Sequence, residues 1–206
     1  MVKKKQLDKS HTLIFTPHFP YNTKSSRQKN RNGKRTLLGI GGNIGNVLRR
    51  FEQLFYYFKR SSFVHIVETS PMLKNPPFGY TEQNDFYNAL LLVETTLTPK
   101  ALLRYVLRVE RLFGRKRSFQ DAPRTLDIDI IFYDNVTMDT KTLTLPHHGW
   151  MKRTSVLIPI QYLSRQRRSF FEKSFSGFLN KPLVKSEMNK RELGSLLEDI
   201  NKKERV

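Results

Sequence analysis

The sequence predicts an α+β fold, a ferredoxin-like βαββαβ sandwich in which an antiparallel sheet is covered on one face by two helices. Three observations carry this. Short apolar or β-branched runs bounded by Gly, Pro and Asn recur between Thr36 and Tyr133. Two of the intervening segments bring apolar residues round at helical spacing. The resulting order is strand, helix, strand, strand, helix, strand.

Taken in order, TLLGIG from Thr36 is a strand ended by glycines. Asn46 to Phe58 then places Val47, Phe51, Leu54, Phe55 and Phe58 on one helical face. Phe63 to Thr69 (FVHIVET) alternates and is β-branched, a strand, whereas Ser70 to Asn84 is cut by Pro and Gly and reads as a long loop. Phe86 to Thr95 is the next strand. Thr98-Pro99 opens a helix, with a hydroxyl at the cap and proline at the first position; Leu102, Leu103, Val106, Val109, Leu112 and Phe113 form its stripe before Gly114 stops it. Asp127 to Tyr133 is the last strand. Trp150 to Leu163 reads as a short apolar helix with Pro159 at a kink or boundary, and Glu192 to Ile200 as an amphipathic helix.

This divides the chain into a basic, partly flexible extension (1–35), a folded domain (36–163) and a polar C-terminal tail with helical potential (164–206). Lys and Arg number 37 against 18 acids, so the net charge is 37 − 18 = +19. Residues 1–36 hold ten basic residues and one acid, or +9 of that excess. Such a chain meets an anionic partner: nucleic acid, membrane surface or polyphosphate. With no cysteine, a disulfide framework and thiolate metal ligation are excluded. The N-terminal stretch has no signal core and no segment approaches a membrane span, so a cytoplasmic protein with no membrane partner is expected.

The chemistry concentrates in RTLDIDI, Arg124 to Ile130. On a strand Asp127 and Asp129 share one face while Leu126, Ile128 and Ile130 point the other way, toward the helices. Two adjacent carboxylates repel unless a cation or proton sits between them. Alone, D-x-D is an ordinary polar pair on an exposed face. Here GRKR (Gly114 to Arg117) and Arg124 stand beside it, and a metal-bound polyphosphate needs both signs of charge. GIGGNIGN (Gly39 to Asn46) lacks dinucleotide-loop spacing and the Walker lysine, so it reads as a tight turn into a helix. The adjacent His147 and His148 are poorly disposed to share one metal ion.

Together TLLGIGGNIGN, the ETSP loop, DFYNALLLVE, VERLFGRKR, APRTLDIDIIFYD and TLPHHGW resemble the 6-hydroxymethyl-7,8-dihydropterin pyrophosphokinase family, in order over Thr36 to Leu163. The resemblance implies transfer of the ATP β,γ-diphosphate to a pterin hydroxymethyl group in folate biosynthesis, leaving AMP, with two Mg²⁺ ions held by Asp127 and Asp129. It implies that Arg115, Arg117 and Arg124 act on the phosphates. Glu110, Ile130, Thr144, His147 and Arg153 fall on nucleotide positions. Ser70, Pro71, Leu73, Asp85, Phe86 and Asn88 fall on the pterin side, with Phe86 stacking and Asn88 reading the amide edge. The family's second stacking aromatic aligns with Ser155, leaving Phe78 or Tyr80 of the long loop as substitutes, and Gln120-Asp121-Ala122 departs from a tryptophan before Pro-Arg, where Phe119 is the nearest aromatic. A monomer is expected. The competing readings are a ferredoxin-like RNA-binding module, which would place aromatics rather than paired acids on the open sheet face, and a homologue that has lost catalysis.

Overall fold

The computed structural model describes residues 2–23, 33–77, 82–116 and 122–164. Among these, ten strands and three α-helices follow the order β1 (Lys3–Gln6), β2 (Thr12–Phe15), β3 (Tyr21–Asn22), β4 (Lys34–Gly42), α1 (Val47–Lys59), β5 (Val64–Thr69), β6 (Met72–Asn75), β7 (Phe86–Thr95), α2 (Pro99–Leu112), β8 (Asp127–Tyr133), β9 (Met138–Asp139), β10 (Thr144–Leu145) and α3 (Thr154–Ile160). The described residues up to Leu163 belong to one compact unit. Arg117, Phe119, Phe78, Tyr80 and the helix expected at 192–200 lie outside the described residues.

The main sheet is antiparallel, with strands in the order β1-β2-β6-β7-β4-β8. β5 and β6 both pair with β7, β5 along Leu91 to Thr95 and β6 along Phe86 to Asn88. They are two halves of one strand position beside β7, broken at Ser70-Pro71. This corrects the expectation of a loop from Ser70: the chain returns to the sheet for Met72–Asn75. Period-2 burial is weak in so short a segment, and its two neighbouring strands are what hold it.

β3 pairs with β5 and β2 with β6, so residues 3–22 extend the sheet. The boundary drawn at Thr36 therefore does not separate an appendage from a domain. Leu13, Ile14 and Phe19 are fully buried, and that apolar burial fastens a segment whose composition is otherwise basic. Its middle is tied down by polar contacts: the Thr69 hydroxyl donates to the His18 carbonyl at 2.6 Å and accepts the Tyr21 N–H at 2.9 Å.

The two long helices follow their sequence signals. Asn46 caps α1 by accepting the Arg49 N–H at 3.0 Å, and Thr98 caps α2 with Pro99 next. α1 buries the expected five residues, Val47, Phe51, Leu54, Phe55 and Phe58, each worth roughly 1.5–3 kcal/mol of transfer free energy. α2 buries Leu102, Val106 and Val109, but also Glu110; Leu112, placed in its stripe above, is 61% exposed.

Strand alternation gives the sheet a second buried face. Leu38, Ile40, Leu91 and Val93 belong to the core beneath α1 and α2. Their neighbours Leu37, Leu90 and Leu92 point the other way, as do the buried Leu13 and Leu73. α3 packs on β6 and β7, and Trp150 meets Phe132 edge-on at 4.9 Å. Two helices on one face is thus incomplete: a third covers half of the other face, leaving open the end where β4, β7 and β8 meet.

Candidate active site

At that open end lies a cavity of about 780 Å³ whose floor is β4, β7 and β8. Asp127 and Asp129 stand on the floor, on the face opposite Ile128 and Ile130, which are buried in the core under the helices. The alternation read from RTLDIDI is the alternation seen.

Each carboxylate is met by cations. Arg115 Nη1 lies 2.5 Å from Asp127 Oδ1 and also contacts Glu110 Oε1, while Arg124 Nη1 is 2.6 Å from Asp127 Oδ2. Arg153 Nη1 is 3.4 Å from Asp129 Oδ2, and His147 Nε2 is 3.8 Å from Asp129 Oδ1. Three carboxylates thus face three guanidiniums, a balance of charge that holds only when all three acids are ionised. Burial pushes Asp129 above its ordinary range, with repulsion from Asp127 adding to the shift. Burial raises Glu110 to about 7, against the opposing pull of the Ile128 N–H and Arg115.

Glu110 is fixed from two sides. Its Oε1 accepts the Ile128 N–H at 2.8 Å, and its carbonyl accepts the Arg115 N–H at 3.0 Å. One buried acid therefore joins the end of α2, the arginine after it and the start of β8.

Glycine-rich β4 lets the loops close over one another. A Cβ on Gly42 would lie 2.5 Å from the Thr125 carbonyl oxygen, and one on Gly41 2.8 Å from Asn88 Oδ1. Next to them Asn43 accepts the Arg124 N–H at 2.9 Å and donates to Gln83 Oε1 at 2.8 Å and the Asn84 carbonyl at 3.1 Å. Asn43, which motif reading passed over as part of a turn, sets the position of Arg124.

Of the residues expected here, Glu110, Arg115, Arg124, Asp127, Asp129, Ile130, Thr144, His147, Arg153, Phe86 and Asn88 line the cavity. Ile130 lies almost wholly in the core, at 3% exposure. The Arg124 guanidinium lies 5.3 Å from the Phe86 ring centroid.

Ser70, Pro71 and Leu73 do not line it. The Ser70 hydroxyl accepts the Leu90 N–H at 2.9 Å and donates to the Pro71 carbonyl, binding the break between β5 and β6 to β7. Leu73 is fully buried between β2 and β7. Asp85 is ion-paired with Lys74 at 3.0 Å, outside the cavity lining. Because β6 continues past Leu73, its far end delivers Asn75, Pro76 and Pro77 to the wall instead. Asn75 Oδ1 accepts from Asn88 Nδ2 at 2.7 Å. The only sequence hint was Asn-Pro-Pro itself, a stiff exit from a strand. Among the described residues no three His, Cys, Asp or Glu gather as metal ligands.

The family model for 7,8-dihydro-6-hydroxymethylpterin-pyrophosphokinase matches residues 37–165. The chain belongs to this family. Curated relatives agree. A 2-amino-4-hydroxy-6-hydroxymethyldihydropteridine pyrophosphokinase of Helicobacter pylori is 46% identical over 128 residues, 61% of this chain and 78% of that protein. One of the same description from Campylobacter jejuni is 39% identical over 146 residues, covering 71% and 89%. The folic acid synthesis protein FOL1 of Dictyostelium discoideum is 35% identical over 154 residues, 74% of this chain but 23% of its own length. The chain is accordingly a pyrophosphokinase, a diphosphotransferase of folate biosynthesis, and among its described residues no helix is long and apolar enough to cross a membrane.

Proposed function

We propose that the cavity binds ATP and 6-hydroxymethyl-7,8-dihydropterin together and joins the pterin hydroxyl oxygen to the β-phosphorus of ATP. The bond from that phosphorus to the α,β-bridging oxygen breaks, the hydroxyl loses its proton, and AMP leaves. One observation carries the assignment of the reacting centre: Asp127 and Asp129 share the open face of β8 amid Arg115, Arg124 and Arg153.

The donor set fits Mg²⁺. Two hard carboxylates project into a polar cavity, Asp129 is raised in part by its like-charged neighbour, and substrate phosphates would fill the remaining positions. Mg²⁺ held by Asp127 and Asp129 would neutralise charge on the triphosphate. The chain's own groups do the positioning. Arg124, placed by Asn43 and set near the Phe86 ring, stands where the two substrates meet. Arg115, steadied by Glu110, and Arg153 and His147, beside Asp129, supply donors for phosphate oxygens. Arg117 follows Arg115 in the chain and is proposed as a further phosphate contact. Thr144 serves the nucleotide side, and Phe86 and Asn88 the pterin.

The strand order also supports reading the core as ferredoxin-like. With β5 and β6 counted as one strand, it runs second, third, first, fourth, antiparallel throughout. The experiment is AMP release from Mg·ATP with and without 6-hydroxymethyl-7,8-dihydropterin. Pterin-dependent AMP without ADP is expected; ADP, or AMP formation indifferent to pterin, would overturn the assignment.

A further inference from the structure

The cavity has one wall from outside the family match. His11 belongs to the N-terminal hairpin, twenty-six positions before residue 37 where that match begins, yet it lines the same cavity as Asn75, Phe86 and Asn88.

Sheet register explains how. β2 pairs with β6 as Thr12 with Lys74 and Leu13 with Leu73, so the next step along the chain brings His11 beside Asn75. Asn75 in turn pairs with Phe86 of β7. The row His11, Asn75, Phe86 crosses three strands and shares the face of Leu13 and Leu73, the face on which the cavity opens. His11 and Phe86 are thus two strand spacings apart, about 9–10 Å, with the Asn75 amide between them. A planar ring standing on edge above Asn75 would have its centre about 5 Å from each flanking ring, within the range of aromatic stacking.

The imidazole is held for such a use. Its Nδ1 lies 2.9 Å from Asp8 Oδ2, and the Ser10 and His11 N–H groups donate to Asp8 Oδ1 at 2.8 and 2.9 Å. The Ser10 N–H, with the His11 ring, holds the Asp8 carboxyl down to about 2, so it is an acceptor throughout neutral pH. Nδ1 must then carry the hydrogen, and Nε2 is the ring's remaining polar atom. Where α3 begins, Ser155 also lines the cavity but offers no ring.

We infer that His11, oriented by Asp8, forms the second flat wall of the pterin subsite, so that the N-terminal hairpin is part of the substrate-binding site. This rests on the pyrophosphokinase reading above. His11 is a specificity residue here and Asp8 a positioning residue.

The test uses the full chain. Pterin-dependent AMP release is followed for wild type, His11→Ala and His11→Phe, varying pterin at saturating Mg·ATP and then Mg·ATP at saturating pterin. His11→Ala should raise KM for pterin by roughly 2- to 12-fold, the range an aromatic contact is worth, with kcat and the KM for ATP within twofold. His11→Phe should restore most of the pterin KM, which a merely structural histidine would not allow. An unchanged pterin KM in His11→Ala, or a rise that Phe does not reverse, overturns the inference and leaves the functional reading standing. A wild-type chain releasing no pterin-dependent AMP overturns both.

Discussion

Two carboxylate clusters in this molecule use similar chemistry to opposite ends. At the cavity, Asp127 divides its oxygens between Arg115 and Arg124, two side chains from opposite ends of the α2–β8 connection. On the outer side of α1, Glu52 is also saturated, but by the chain it fastens. It accepts from the Thr16 hydroxyl at 2.6 Å and the His18 N–H at 3.3 Å, and its Oε2 lies 2.6 Å from His18 Nδ1. The His18 ring stacks on Phe55 at 4.2 Å. Glu52 bonds to backbone and short side chains of one loop, so it holds structure. Asp127 bonds to long guanidiniums that can exchange partners, so it can hold a ligand.

Three substitutions set these clusters against each other. Asp127→Ala should lower the rate of AMP formation on the order of 10²- to 10³-fold or more, while circular dichroism and denaturation midpoint stay near wild type. Retained activity would put the metal-holding group elsewhere. Glu52→Ala should do the reverse. Leaving the Thr16, His18 and backbone donors without their acceptor should cost about 1–3 kcal/mol in chemical denaturation, with kcat at saturating substrates retained. Unaltered stability would show that the apolar contacts of Leu13, Ile14 and Phe19 suffice to hold the N-terminal segment.

The smallest effect concerns Glu110, which belongs to both kinds. Its carboxyl is raised from 4.5 to about 7 in the folded chain, so between those values the folded state binds more protons than the unfolded one. Its contribution to stability is therefore greatest on the acid side and declines as pH rises through that window. Glu110→Gln should flatten the dependence, shrinking the stability difference between pH 5 and pH 8; Asp129, shifted in the same direction, leaves part of the slope. Equal slopes in the two proteins would mean that Glu110 is ionised throughout.

Much of this site was legible in one dimension because β8 carries it locally. Asp127 and Asp129 are separated by the strand's own period, and Arg124 and Arg115 stand three and twelve residues before Asp127, whereas Glu110 followed only from the family resemblance. The α2 cap and the α1 stripe were legible for the same reason, being set by residues within a turn or two of each other. Leu112 misled because an apolar residue one step past the last buried turn keeps the period but has nothing above it. Ser70, Pro71 and Leu73 fall away from the cavity because the chain breaks at Ser70-Pro71 and then rejoins the sheet as β6, held between β2 and β7.

By itself, then, the sequence determined the alternation that turns two acids outward, the helices that cover the opposite face and the cations that balance the acids, since each depends on spacing of a few residues. Only the tertiary structure decided that residues 3–22 extend the sheet, that Asn75 rather than Ser70 reaches the cavity, that Asn43 positions Arg124 and that His11 stands in a row with Phe86. Those facts depend on the register between strands far apart in the chain, and register is set by packing that no local pattern encodes.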